Sequence, residues 1–213
     1  MSTLTGENME TVLYSFAPQD RSGKIRWLLK ELEVPFEVKA LDGEKSENRQ
    51  ADFLSISPLG MVPTLKNGDA TLFESGAIAI YLTEKMTSQK CLAPALHSPR
   101  RGDFLKWVVF ATASLDPLLV KVFRTKGMTE EEKKNHLDGI YSEFRETAAQ
   151  LERILSESKF VVGGEFSAAD IMLAQHLDWA ESAGFLKTHP TLMDYLARLK
   201  QRPACVESCV FQK

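Results

Sequence analysis

Long apolar runs are missing from this sequence. No stretch approaches the roughly 18 consecutive apolar residues that a membrane-crossing helix needs, so no membrane partner is expected. An excess of positive charge is missing too. Lysine and arginine number 26 against 29 acids, a net charge of −3, and the two signs are interspersed. That leaves no basic footprint for nucleic acid. The first residues, MSTLTGENMETVLYSF, lack a basic segment followed by an apolar one. A secretory leader is therefore not expected and a cytoplasmic location is. Cysteine is sparse: Cys91, Cys205 and Cys209 make an odd count, read as reduced thiols rather than a disulfide framework. Cys205 and Cys209 are four apart with no histidine close by to complete a metal site, and no metal is expected. Internal repeats and low-complexity tracts are also absent.

What is present is a hydrophobic share of 44% in 213 residues, enough core for one large domain or two small ones. The first part reads strand, helix, strand. TVLYSF is a short β-branched and aromatic run, SGKIRWLLKELEV has helical spacing at Ile25, Leu28, Leu29 and Leu32, and PFEVKAL alternates at period 2. This is a βαβ unit with parallel strands. VPTLK and ATLFE then flank Asn67-Gly68, a hairpin signal, and ESGAIAIYLTEKM reads as a helix. The order βαβ, then ββα, predicts a compact mixed sheet with helices against it over residues 11–87.

TSQKCLAPALHSPRR holds two prolines and no sustained period, which predicts a linker over 88–99. From there to about residue 207 the patterning is helical throughout. DFLKWVVFATASLDPLLVKVF is long and apolar, with a bend expected near Pro117. Thr129 before three acids, and Ser167-x-x-Asp170, are helix-start signals. The expectation is a small α/β domain followed by an all-helical one of residues 100–207.

Two local features pose a question. Val62-Pro63 puts proline, which cannot donate into a ladder, at a strand. It reads either as a plain strand start or as a cis bond that offers the N–H and C=O of Val62 to an extended peptide. Glu74-Ser75 sits where a helix begins, whose free N–H groups and partial positive charge attract an anion. The pair reads either as ordinary capping or as a clamp for an α-amino acid head. In that clamp Ser75 donates to the carboxylate and Glu74 accepts from the ammonium.

LYSFAPQDRSGKIRWLLKELEVPFEV, then ISPLGMVPTL, then LFESGAIAIYL, then a helical half with FSAADIML and HPTLMDYLARLKQRPA, resembles the cytosolic glutathione transferases over nearly the whole chain, Val12 to about Val206. The resemblance implies a thioredoxin-like α/β N-terminal domain plus an all-α C-terminal domain. It implies glutathione as co-substrate, a homodimer, and conjugation of the glutathione thiolate to small hydrophobic electrophiles. It places the cysteinyl part of glutathione on Val62 and Pro63 and the γ-glutamyl end on Glu74 and Ser75. The alternatives are another glutathione-dependent enzyme, an isomerase or peroxidase, and a non-catalytic relative that binds glutathione or a protein.

A free thiol titrates at about 8.5, and lowering that by about two units takes roughly 2.7 kcal/mol of preference for the thiolate. The family supplies it from a tyrosine, serine or cysteine near the first strand, and this chain departs from each pattern. Aligned on IRWLL, the tyrosine position falls on Ser15, with Tyr14 one residue off and turned to the opposite face. The serine and cysteine positions fall on Gln19, Asp20 and Arg21, with Ser22 next. Arg21, a permanent cation, ranks first, then Ser15, then Ser22. Asp20 is an unfavourable neighbour for a thiolate unless it pairs with Arg21 or Lys24. Met61 cannot make a charge-assisted contact with the glycine carboxylate, which leaves Arg49 or Asn48 for that role. The family's acceptor pocket implies Phe16, Trp107, Phe110, Ala111, Ser114 and Phe123. His97, His136, His176 and His189 stand apart from these motifs and read as structural or surface residues.

Overall fold

The structure, a computed structural model, describes residues 10–86 and 90–212. The residues read above for a leader lie mostly outside this range, as do residues 87–89 at the expected end of the first domain and start of the linker. Strand β1 (Thr11–Ser15) leads through α1 (Gly23–Glu31) to β2 (Glu37–Ala40). A 3-10 turn (Glu47–Arg49) and the short α2 (Ala51–Leu54) precede β3 (Thr64–Asn67), β4 (Ala70–Phe73) and α3 (Ser75–Lys85). The sheet order is β2-β1-β3-β4, with β1 parallel to β2 and the other pairs antiparallel. All five residues of β1 are buried because both faces of the sheet are covered. Leu13 and Leu65 join the main core, whereas Val12 and Tyr14 join a small cluster with Phe53. Tyr14 packs its ring 5.3 Å from that of Phe53, on the face opposite Leu13.

The hairpin differs by one position from the expectation. Asn67 is the last strand residue, paired with Ala70, and the turn is Gly68-Asp69 with Gly68 at φ +58°. Positive φ at the first turn residue suits a primed hairpin turn. Asn67 stays in the strand because its buried side chain bonds Thr11 Oγ1 and the Tyr81 hydroxyl.

The helical half comprises α4 (Arg101–Val109), α5 (Asp116–Leu119), α6 (Glu130–Glu157), α7 (Ala168–Ser182), α8 (Pro190–Lys200) and α9 (Pro203–Ser208). Thr129 caps α6 through a full capping box with Glu132, and Ser167 does the same for α7 with Asp170. Near Pro117 the helix changes its period. Residues Phe110–Leu115 form a π-helical segment between α4 and α5. Pro117 has no N–H to continue the ladder, and the local widening absorbs the mismatch.

The halves share one continuous core, to which Ile25 and Ile78 of the first and Val108, Leu115 and Leu173 of the second all belong. Helix α9 returns to pack on α1. A Cβ at Gly23 would lie 2.1 Å from the Pro18 carbonyl oxygen and 2.6 Å from Val210 Cγ2, so only glycine permits that close return of the chain. The three cysteines are free. Burial, with Glu31 adding to it, pushes the Cys205 thiol up to about 12. Among the described residues no helix is long and apolar enough to cross a membrane.

Candidate functional site

Where the sheet unit meets α4 and α5 lies a cavity of about 250 Å³. The first half lines it with Arg21, Met61, Val62, Pro63, Glu74 and Ser75, and the second half with Thr112 and Asp116. The Val62–Pro63 peptide is cis. Among the described residues neither the N–H nor the C=O of Val62 has a hydrogen-bond partner. Ser75 is the first residue of α3, and Glu74 precedes it at φ +69°, a conformation that side-chain-bearing residues rarely adopt. The Glu74 side chain makes no capping bond. Capping therefore does not account for this acid, and its strained backbone is of the kind that clusters at functional sites. Gly76 follows because α3 presses on the second half: a Cβ there would sit 3.0 Å from Thr112 Oγ1.

Arg21 is half-exposed and lies at the cavity, fixed by Asp116. Its Nε donates to Oδ1 at 2.9 Å and Oδ2 at 2.8 Å, and its Nη2 donates to Oδ1 at 2.5 Å. Such paired contacts are geometrically specific. Its guanidinium also lies 5.9 Å from the Trp179 ring. Asp116 accepts further from His176 Nε2 at 3.1 Å. Burial works against the charged form, yet the bonds from His176 and Arg21 and the charge of Lys24 hold the Asp116 carboxyl well below the usual carboxylate range. Burial, aided by the Lys24 charge, pushes His176 down to about 4, so it donates to Asp116 as a neutral imidazole.

Asp20 pairs with neither Arg21 nor Lys24 by hydrogen bond. Its carboxylate accepts from the backbone N–H groups of Phe16, Ala17 and Ser22, at 2.8, 3.1 and 2.6 Å, and so folds the β1–α1 loop. Gln175 of α7 braces that loop by donating to the Asp20 carbonyl at 2.7 Å. The two serines ranked after Arg21 are not brought to the cavity. Ser15 and Ser22 are buried beneath the loop, and both hydroxyls aim at the Ala17 carbonyl, at 3.3 and 3.4 Å. Asn48 donates to the Gly60 carbonyl and Arg49 to that of Leu59, so both hold the segment before Met61.

The expected acceptor wall is also divided. Trp107 and Phe110 stack edge-on at 5.6 Å in a separate cleft against α6, lined also by Leu151 and Ile154. Ala111 is buried in the core, Ser114 is exposed, and Phe16 lies over Gly43. The face that meets the first half is instead Val108, Thr112 and Asp116, spaced by four, and Trp107 is about 100° round the helix from it. Phe123 does reach an apolar cavity, of about 390 Å³, that adjoins the first through Arg21. Its other walls include Val120, Trp179 and Phe211, with Phe123 and Trp179 edge-on at 5.4 Å.

Asp116 is the residue the sequence motifs do not mark; Lys24 enters there only as a partner for Asp20, and His176 only as a structural or surface residue. Each carried a signal, a polar side chain on an otherwise apolar stripe. Lys24 is four before Leu28, Asp116 stands inside SLDPLL, and His176 sits on the buried face of α7. His176 is thus structural, as expected, but in contact with the cavity's own carboxylate.

A four-stranded sheet unit with a cis-proline and acid–serine site, fused to a helical domain that closes the cavity, is the architecture of the thioredoxin-like glutathione transferases. Comparison with known proteins agrees. The glutathione S-transferase N-terminal domain model matches residues 9–84, and the C-terminal domain model matches residues 134–198. Glutathione S-transferase GstB of Escherichia coli K12 is 31% identical over 212 residues, covering 96% of this chain and 95% of the relative. Glutathione S-transferase F10 of Arabidopsis thaliana is 33% identical over 181 residues, covering 80% of each. A glutathione transferase family member from Pseudomonas fluorescens Pf-5, solved with two glutathione bound, matches in fold with a TM-score of 0.81 at 24% identity, over 96% of this chain and 94% of that one. The chain belongs to the glutathione S-transferase family and is an enzyme of it.

Proposed function

We propose that the cavity binds glutathione and that the enzyme conjugates its thiolate to a small hydrophobic electrophile. The observation that carries this reading is the meeting, on one cavity, of unpaired backbone at Val62, an acid–serine pair free of capping, and a fixed guanidinium. Each suits one part of the tripeptide. Val62, beside Pro63, pairs with the cysteinyl backbone as an added strand. Ser75 donates from its N–H and hydroxyl to the γ-glutamyl carboxylate at the positive end of α3, and Glu74 accepts from the ammonium.

Arg21 then stabilises the thiolate by charge, without taking a proton. The acceptor lies in the adjoining cavity of Phe123, Val120, Trp179 and Phe211. There the thiolate forms a bond to a polarised carbon, whose leaving group departs with its electron pair or whose double bond takes up the charge. A homodimer and a cytoplasmic setting belong to the same reading, as do domain limits of 11–87 and 100–207 with a connection at 88–99.

The test is the ultraviolet absorbance of bound glutathione thiolate across pH. The parent should show thiolate well below the value of the free thiol, and Arg21→Ala should lose it. Ser15→Ala and Ser22→Ala should keep it, because their hydroxyls face Ala17. A bound thiol that titrates as in water would overturn the transfer reading.

A further inference from the structure

Behind Arg21 lies a second cation that does not touch the cavity. Lys24, on the first turn of α1, is fully buried, and its Nζ has no hydrogen-bond partner. It lies 3.8 Å from Asp116 Oδ2. That carboxylate is already saturated, with Oδ1 and Oδ2 both taken by Arg21 and Oδ2 also by His176. A buried ammonium without a hydrogen bond is costly.

Charge counting suggests a use. Arg21 and Asp116 alone form a neutral pair, whose field on an anion in the cavity largely cancels. With Lys24 the cluster becomes a triad of net charge +1. His176 is neutral above about pH 4 and does not alter the count. Two further carboxylates face the group. Asp20 is held by three backbone N–H groups of its loop. Glu74, at the cavity, is neutralised when an ammonium binds it.

We propose that Lys24 is a positioning residue for charge: acting through Asp116 and Arg21, it makes the site prefer an anion at the sulfur position of bound glutathione. This rests on the glutathione reading above and adds to it a residue that contacts no ligand. Burial pushes the Lys24 ammonium down to about 8 against the pull of Asp116, with Arg21 acting in the same direction as burial and Asp20 and Glu74 opposing it. The preference therefore carries a pH signature. An anion at the sulfur position holds the proton on Lys24, so the anion loses affinity as pH rises through the range in which the free site gives that proton up.

The experiment compares glutathione sulfonate, permanently anionic at the sulfur position, with S-methylglutathione, neutral there, by titration calorimetry. The ratio of their affinities cancels the titration of the shared amino group. In the parent this ratio should fall about tenfold between roughly pH 7 and pH 9.5, the effect of a one-unit coupling. In Lys24→Met it should be low and flat. A flat ratio in the parent overturns the proposal whether or not the variant folds, and so does a Lys24→Met protein that keeps the parent's pH-dependent preference. If S-methylglutathione binds and the ratio is flat, Lys24 alone is excluded. If neither ligand binds the parent, the glutathione reading fails and the Lys24 proposal falls with it.

Discussion

The two walls of the cavity are built by different means. The first-half wall is local: Met61 to Pro63 and Glu74 to Ser75 are short segments on either side of one hairpin. Their useful groups are mostly backbone or exposed, and little else in the protein depends on them. The other wall, Asp116 with Arg21, is backed by a charge cluster gathered from separate elements: Asp116 on α5, His176 on α7, Lys24 on α1 and the half-exposed Arg21 in the loop before α1. The hydrogen bonds of Asp116 with Arg21 and its ion pair with Lys24 run between the two halves of the chain.

The comparison breaks most visibly at Asp116. Asp116→Ala leaves Lys24 and Arg21 without their counter-charge in a buried setting, and should cost about 3–5 kcal/mol of stability. The denaturant midpoint reads this. A midpoint unchanged from the parent would mean that the cluster is not structural. Next is acid. His176 binds its proton near 6.5 when unfolded but at about 4 when folded, with Lys24 and Asp116 facing it. Between those values the unfolded chain takes up the proton first, so stability falls as pH drops from about 6.5 to 4, by on the order of 3 kcal/mol. His176→Gln keeps a donor for Asp116 and should flatten the melting temperature over that window. Asp116 adds its own loss at lower pH, as its depressed carboxyl is protonated.

On the other wall Glu74→Ala should leave the denaturant midpoint near that of the parent and weaken glutathione binding by about tenfold or more, the loss of a charge-assisted bond. Tight binding by that variant would remove the clamp from the account, and a large loss of stability would erase the contrast between the walls. The smallest effect separates the two aromatic sites. Phe123→Ala should raise the KM for a hydrophobic acceptor a few-fold, whereas Trp107→Ala, in its separate cleft, should leave kcat and KM alone. The reverse result would return the acceptor to the α4–α6 cleft.

Legibility followed the same division. The βαβ and hairpin order, the helix starts at Thr129 and Ser167, and the turning of Tyr14 away from the face of Ser15 could be read from periodicity and spacing. Which side of the long apolar helix faces the first half could not. The resemblance implied Phe16, Trp107, Phe110, Ala111, Ser114 and Phe123 for the acceptor, and the helix turns Val108, Thr112 and Asp116 toward the first half. Composition marks which side chains are apolar, but it does not say which stripe of a long helix meets which neighbour when a π segment interrupts the period. The placement of the serines at 15 and 22 was hidden for a related reason. Sequence places them near the loop, but Asp20 draws the loop's amides inward and leaves both hydroxyls beneath it.

By itself, then, the sequence determined the elements, their order, and a binding edge made from neighbouring residues, because covalent geometry and local hydrogen bonding hold such groups within reach whatever lies further off. Only the tertiary structure decided that Asp116 meets Arg21 across 95 positions and His176 across 60, and that Lys24 is buried beside them. Contacts of that separation depend on how helices pack, and packing is set by the shapes of whole faces rather than by any short run of residues.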